Sequence, residues 1–191
     1  MKKKYVLIAL ELFGLEIFFS ILSLFFYPFF EWIHNDIIYS IFTAWLFLGA
    51  VHSTFWQLGN KERKNIIIQN NHLKDGEPPI KQKQLTGAKI AFPFFIVNIL
   101  VIVIAYFHGN AGMNAIWITH RIFQFTFAGF LGNETHTLKY VLNGMLVCLV
   151  MYIPCITGYI SGAHNFSLIE KYFPKIIYKQ KKKPKKDTKT E

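Results

Sequence analysis

Apolar residues along this chain gather into four long blocks, Tyr5 to Tyr27, Ile37 to Trp56, Ile90 to Phe107 and Tyr140 to Ile160. Each is close to or above the roughly 20 helical residues that a hydrocarbon core requires. Between the blocks the pattern changes abruptly: residues 57–89 are polar and basic, residues 108–139 are mixed, and lysine dominates the end of the chain. The expected fold is an all-α membrane protein, a four-helix transmembrane bundle over residues 1–166, with an extracellular interfacial or re-entrant helix and a basic cytoplasmic tail over 167–191.

Composition agrees with this partition. Hydrophobic residues make up 52% and aromatics 17%, yet the charges are crowded into short segments instead of covering every surface as in a soluble domain. Lys2, Lys3 and Lys4 precede the first block as in a secretory signal, but the apolar run is longer than the roughly 7 to 15 residues of such a signal, contains Glu11 and Glu16, and lacks a small-residue cleavage site. It is expected to remain as the first span.

Basic residues orient the spans, because cytoplasmic flanks retain Lys and Arg. Of 21 Lys and Arg, three lie at the N-terminus, seven between the second and third blocks, nine after the fourth, and only Arg121 and Lys139 elsewhere. Both termini and residues 57–89 are therefore expected in the cytoplasm, at a plasma membrane. A fifth span through AIWITHRIFQFTFAGFLG would put the tail outside and carry His120, Arg121 and Gln124 through lipid. Trp117, Arg121, Gln124 and Ala128 instead recur at helical spacing as a narrow polar stripe, which suits an outer interfacial helix, a shallow re-entrant one, or a cap over the bundle.

The connection 57–89 is too short for a domain and reads as a basic hairpin-like loop, with DGEPPI as its breaker. In the tail, Ser167 and Glu170 have capping-box spacing before an apolar stripe interrupted by Pro174. Beyond it, Lys179, Lys181, Lys182, Lys183, Lys185 and Lys186 form a polybasic, disordered stretch expected to bind the anionic inner leaflet, not nucleic acid, since no aromatics are interleaved.

The two glutamates in LIALELFGLEIFF are the strongest chemical signal. Apolar residues contribute about −0.3 to −0.6 kcal/mol each to insertion and a central acid costs about +2.5 to +3.5, so the span tolerates both acids, but lipid is not where they should face. At 1.5 Å per residue Glu11 lies roughly 9 Å past Tyr5 and Glu16 roughly 17 Å, near the midplane. Ser20, Ser23 and Tyr27 continue the Glu16 face, while Glu11 points about 140° away, so the two cannot pair within one helix. The polar candidates in the spans are Glu16, Glu11, Ser20, Asn98 and His52, with Ser40, Thr43 and Asn143 beside them. Without a cation in the spans, Glu16 is expected to be neutral and hydrogen-bonded to Asn98 or a hydroxyl as helix glue; a proton- or cation-handling role is the alternative.

Other chemistry is sparse. Gly158 and Gly162 have G-x-x-x-G spacing near Pro154, which predicts a kink and a close helix contact. Cys148 and Cys155, seven residues apart on one helix, are too distant to bridge and read as packing residues. His108, His120, Glu134 and His136 lack a familiar zinc spacing. There is no H-E-x-x-H, G-x-S-x-G, C-x-x-C or phosphate-loop motif. No enzyme activity, metal or cofactor is expected.

WQLGNKERKN at 56–65, Asp75, GAKIAFP at 87–93, PCITGYISG at 154–162 and SLIEK at 167–171 together resemble small four-span membrane proteins of clostridia-like Gram-positive bacteria. The resemblance covers most of the chain and implies a bacterial plasma-membrane location. It brings no assigned activity and no site residue. Two functions follow from the sequence: a non-enzymatic membrane component, either an accessory subunit or a scaffold, with a membrane-protein partner or a second copy of the chain; or a small transporter or channel-like oligomer that uses Glu16. A packed bundle around a hydrogen-bonded Glu16 favours the first, and a water-filled cavity reaching it favours the second.

Overall fold

The computed structural model describes residues 3–31, 36–74, 77–108, 123–131 and 137–166, and every regular element among them is helical. Helix α1 spans Lys3–Glu31, α2 Asp36–Asn71 and α3 Thr86–His108. A 3-10 turn at Phe125–Phe127 and a single helical turn, α4 at Ala128–Leu131, precede α5 at Leu138–Ala163. Helices α1, α2, α3 and α5 are each long and apolar enough to cross a membrane. The fold is the all-α four-helix bundle that the hydrophobic blocks predict.

Helix α2 does not stop where its apolar block ends. It runs for 36 residues, about 54 Å at 1.5 Å per residue, against a hydrocarbon core of about 30 Å. Residues 57–71, expected in a loop, are its continuation: QLGNKERKN is rich in good helix formers, and no proline intervenes before Pro78. The hairpin is thus confined to residues 72–85. It folds back on α2 through Asn70, whose Nδ2 donates to the Ile80 carbonyl at 3.1 Å while its Oδ1 accepts from the Ile80 N–H at 2.8 Å.

Helices α2 and α5 form the closest seam, and glycine makes it possible. In lipid, association rests on close packing between helices, so small residues are favoured where backbones approach. A Cβ on Gly158 would sit 2.5 Å from the His52 carbonyl oxygen, and one on Gly162 would meet the Trp56 carbonyl and lie 2.9 Å from the Asn60 nitrogen. Gly59 on α2 faces the Tyr159 carbonyl in the same way. The close contact predicted from the G-x-x-x-G spacing is present. Phe47, Phe55, Phe94, Ile102, Met151 and Tyr159 fill the centre of the bundle, and Cys148 and Cys155 are free, buried members of the same cluster.

Between α3 and α5, the described residues 123–131 depart from the regular helix expected there. They include a turn at Gln124, a 3-10 turn and the four residues of α4. Gln124, Thr126, Phe127 and Leu131 are buried, and Phe127 stacks edge-on against Phe47 of α2 with ring centroids 5.8 Å apart. These described residues enter the bundle. The remainder of that stripe, Trp117 and Arg121, the metal candidates His120, Glu134 and His136, and the tail lysines Lys179, Lys181, Lys182, Lys183, Lys185 and Lys186 lie outside the described residues.

Candidate functional site

Glu16 is 3% exposed, Asn98 4% and Gln124 1%, and the three side chains meet. Asn98 Nδ2 donates to Glu16 Oε2 at 3.4 Å, Gln124 Nε2 to Glu16 Oε1 at 3.4 Å, and Gln124 Nε2 also to Asn98 Oδ1 at 2.6 Å. Asn98 Nδ2 is further shared with the Phe94 carbonyl at 3.2 Å. Both carboxyl oxygens of Glu16 are therefore engaged, one by α3 and the other by the inserted segment. Gln124 Oε1 is buried and has no hydrogen-bond partner among the described residues. Glu16 lies near the middle of the apolar stretch Tyr5–Phe29 and Asn98 near the middle of Thr86–Phe107, so the contact forms at central depth.

The hydroxyls of the spans explain how an irregular segment is held there. Non-helical backbone at membrane depth is tolerated only where protein groups satisfy its N–H and C=O groups, each of which costs several kcal/mol if left bare in hydrocarbon. Ser20 Oγ donates to the Phe123 carbonyl at 2.6 Å, and Thr43 Oγ1 to the Thr126 carbonyl at 2.8 Å. The Gly129 N–H donates to Ser40 Oγ at 2.8 Å, and Asn143 Nδ2 to the Phe130 carbonyl at 2.9 Å. The Thr126 hydroxyl lies 3.3 Å from Ser20 Oγ and accepts from Ser23 Oγ at 3.5 Å. Four polar side chains from α1, α2 and α5 thus meet backbone groups of residues 123–130. Together they form a socket, with the Glu16–Asn98–Gln124 contact at its floor. From Ser23 to Glu16 the socket descends seven residues of α1, about 10 Å of axial rise.

The sequence candidates separate accordingly. Glu16, Ser20 and Asn98 are brought together. His52 is half-buried at the α2–α5 seam and makes no hydrogen bond to this cluster among the described residues. Glu11 corrects an expectation: it was expected to avoid lipid but is exposed on the outer surface of α1. The 140° between the two acids is the reason, since α1 has one inward face and Leu12, Glu16, Ser20 and Ser23 occupy it.

A second polar cluster was missed by sequence reasoning. At the Lys-rich end of the bundle Glu62 accepts from Tyr5 OH at 3.0 Å through Oε1 and from Tyr159 OH at 2.6 Å through Oε2. Gln82 Nε2 donates to the Gly59 carbonyl at 3.0 Å and to Tyr159 OH at 3.2 Å. Glu62 sits in KERK, which reads as a solvated charge run. The signal that marks it is periodicity: Val51, Phe55, Leu58, Glu62 and Ile66 follow one another at three- and four-residue spacing, so Glu62 continues the inward face of α2.

Comparison of the chain with protein-family models, with curated proteins and with solved structures finds no match. The reading of function rests on the geometry.

Proposed function

We propose that this chain is a non-enzymatic, multi-pass component of a bacterial plasma membrane, an accessory subunit or scaffold whose intramembrane polar residues serve to seat residues 123–131. The carrying observation is Glu16: it is buried, and both its oxygens receive amide donors. A relay carboxyl would need a water path to at least one oxygen, whereas both oxygens here are taken up by amide donors, and the cleft at the Lys-rich end does not have Glu16 among its described lining residues. Full-length protein in sealed vesicles under a proton or potassium gradient is expected to conduct no faster than empty vesicles. A flux that Glu16→Gln abolishes would replace this reading with the transporter.

The basic bias supports a cytoplasmic location for both termini and for residues 57–89. Nineteen of the 21 Lys and Arg lie on that side of this threading. Single cysteines at positions 110 and 134 should react with a membrane-impermeant maleimide in intact cells. Labelling at position 64 or 180 would invert the topology.

A further inference from the structure

At the Lys-rich end, the start of α1, the outlying part of α2, residues 80–83 and the first turns of α3 enclose a cleft of about 730 Å3, within the size range of small-molecule sites. Its charge is unbalanced. Lys81, Lys83 and Lys89 line it, and the one carboxylate among its described lining residues, Glu62, already accepts from two phenols. Asn65 and Gln69, one helical turn apart on α2, add amide donors, and Ile66 and Ile90 add apolar wall. The depth matters as much as the charge: Tyr5 and Thr86 are the first residues of the membrane-crossing stretches of α1 and α3, so the cleft opens where the hydrocarbon gives way to headgroups.

A dissolved anion would need the lysines alone. The combination of three cations, amide donors and isoleucine walls at the membrane boundary suits a ligand with a phosphate ester at one end and hydrocarbon at the other. We propose that this cleft is a binding site for the headgroup of an anionic phospholipid, with Lys81, Lys83 and Lys89 facing the phosphate. The site is separate from the Glu16 socket, and it requires only that the helices cross a membrane.

The test compares retention of phosphatidylglycerol and phosphatidylcholine on full-length protein by native mass spectrometry. Wild type should retain phosphatidylglycerol preferentially. Replacing Lys81, Lys83 and Lys89 together by Gln should lower that retention by about tenfold or more, since each lysine near an anionic surface contributes on the order of 1 kcal/mol. Replacing the same three by Arg should preserve it. A control triple, Lys61→Gln with Lys64→Gln and Lys74→Gln, removes equal charge from the same end outside the cleft and should change it little. All six lysines are exposed, so thermal unfolding should be unaffected and loss of binding is not loss of fold. Equal loss in both Gln triples would overturn the site in favour of diffuse surface charge. Equal retention of the two lipids would also overturn it. Displacement of the lipid by glycerol 3-phosphate at matched concentration would reassign the cleft to a soluble phosphate ester.

Discussion

Two buried or half-buried glutamates anchor this bundle, one at central depth and one at its Lys-rich end, and they are held by different chemistry. Glu16 sits at central depth among amides, with Asn98 and Gln124 as donors. Glu62 sits beyond the apolar block of α2 among phenols, with Tyr5 and Tyr159 as donors and a wide cleft beside it. Around Glu16 the hydroxyls of Ser20, Ser40 and Thr43 serve the backbone of the inserted segment, while the amides of Asn98 and Gln124 serve the carboxyl. Around Glu62 the lysines are left over. Polar residues deep in a bundle are the ones that folding itself requires, whereas those at its rim are available for a ligand.

The comparison breaks most severely at the glycine seam, which positions Tyr159 against Glu62. Gly162→Leu would place a side chain on the Trp56 carbonyl and the Asn60 backbone. Because backbone cannot yield as a side chain can, a loss above about 3 kcal/mol is expected, read as loss of monodisperse protein after extraction. Asn98→Leu comes next. It removes the donor to Glu16 and the acceptor for Gln124 at once, for about 2 kcal/mol in detergent unfolding, since a buried polar group left without its partner costs about 1 to 3.

Ser40→Ala with Thr43→Val should cost about 1 kcal/mol, the two hydrogen bonds to the inserted segment being worth roughly 0.6 each in membrane proteins. The double variant should also raise hydrogen exchange at the Gly129 amide, which loses its acceptor. The smallest effect is expected from Glu62→Gln, below about 1 kcal/mol, because the amide oxygen still accepts from one tyrosine and the neighbouring cleft admits water. A larger loss at Glu62 than at Asn98 would reverse the order of the two sites.

Much of the deep site was legible in the sequence, and the rim was not. Glu16, its depth and Asn98 as partner follow from helix rise and from the scarcity of polar residues in the spans. Gln124 was visible as one member of a polar stripe, but helical periodicity suited an interfacial helix, a re-entrant helix and a cap over the bundle alike, and did not bring Gln124 to Glu16. The 3-10 turn at Phe125–Phe127 breaks that periodicity and turns Gln124 inward. The hydroxyls were legible as polar positions but not as a socket, because their partners are backbone groups, which leave no mark in sequence. Glu62 depends on Tyr5, 57 residues away, and on Tyr159, 97 away. Contacts of that range are set by how α1, α2 and α5 pack, and local pattern does not encode them.

The central claim is that Glu16 is present to hold the inserted segment through hydrogen bonds, not to carry charge. The most direct measurement is the difference in unfolding free energy between Glu16→Gln and Glu16→Leu in the full-length protein. Gln keeps one acceptor of nearly the same shape, and its new N–H can be matched by turning over the Gln124 amide, whose Oε1 has no hydrogen-bond partner among the described residues, so this variant should unfold close to wild type. Leu has neither group, leaves Asn98 and Gln124 short of a partner, and should be less stable than the Gln variant by about 1 to 2 kcal/mol. Equal stability of the two variants would contradict the account.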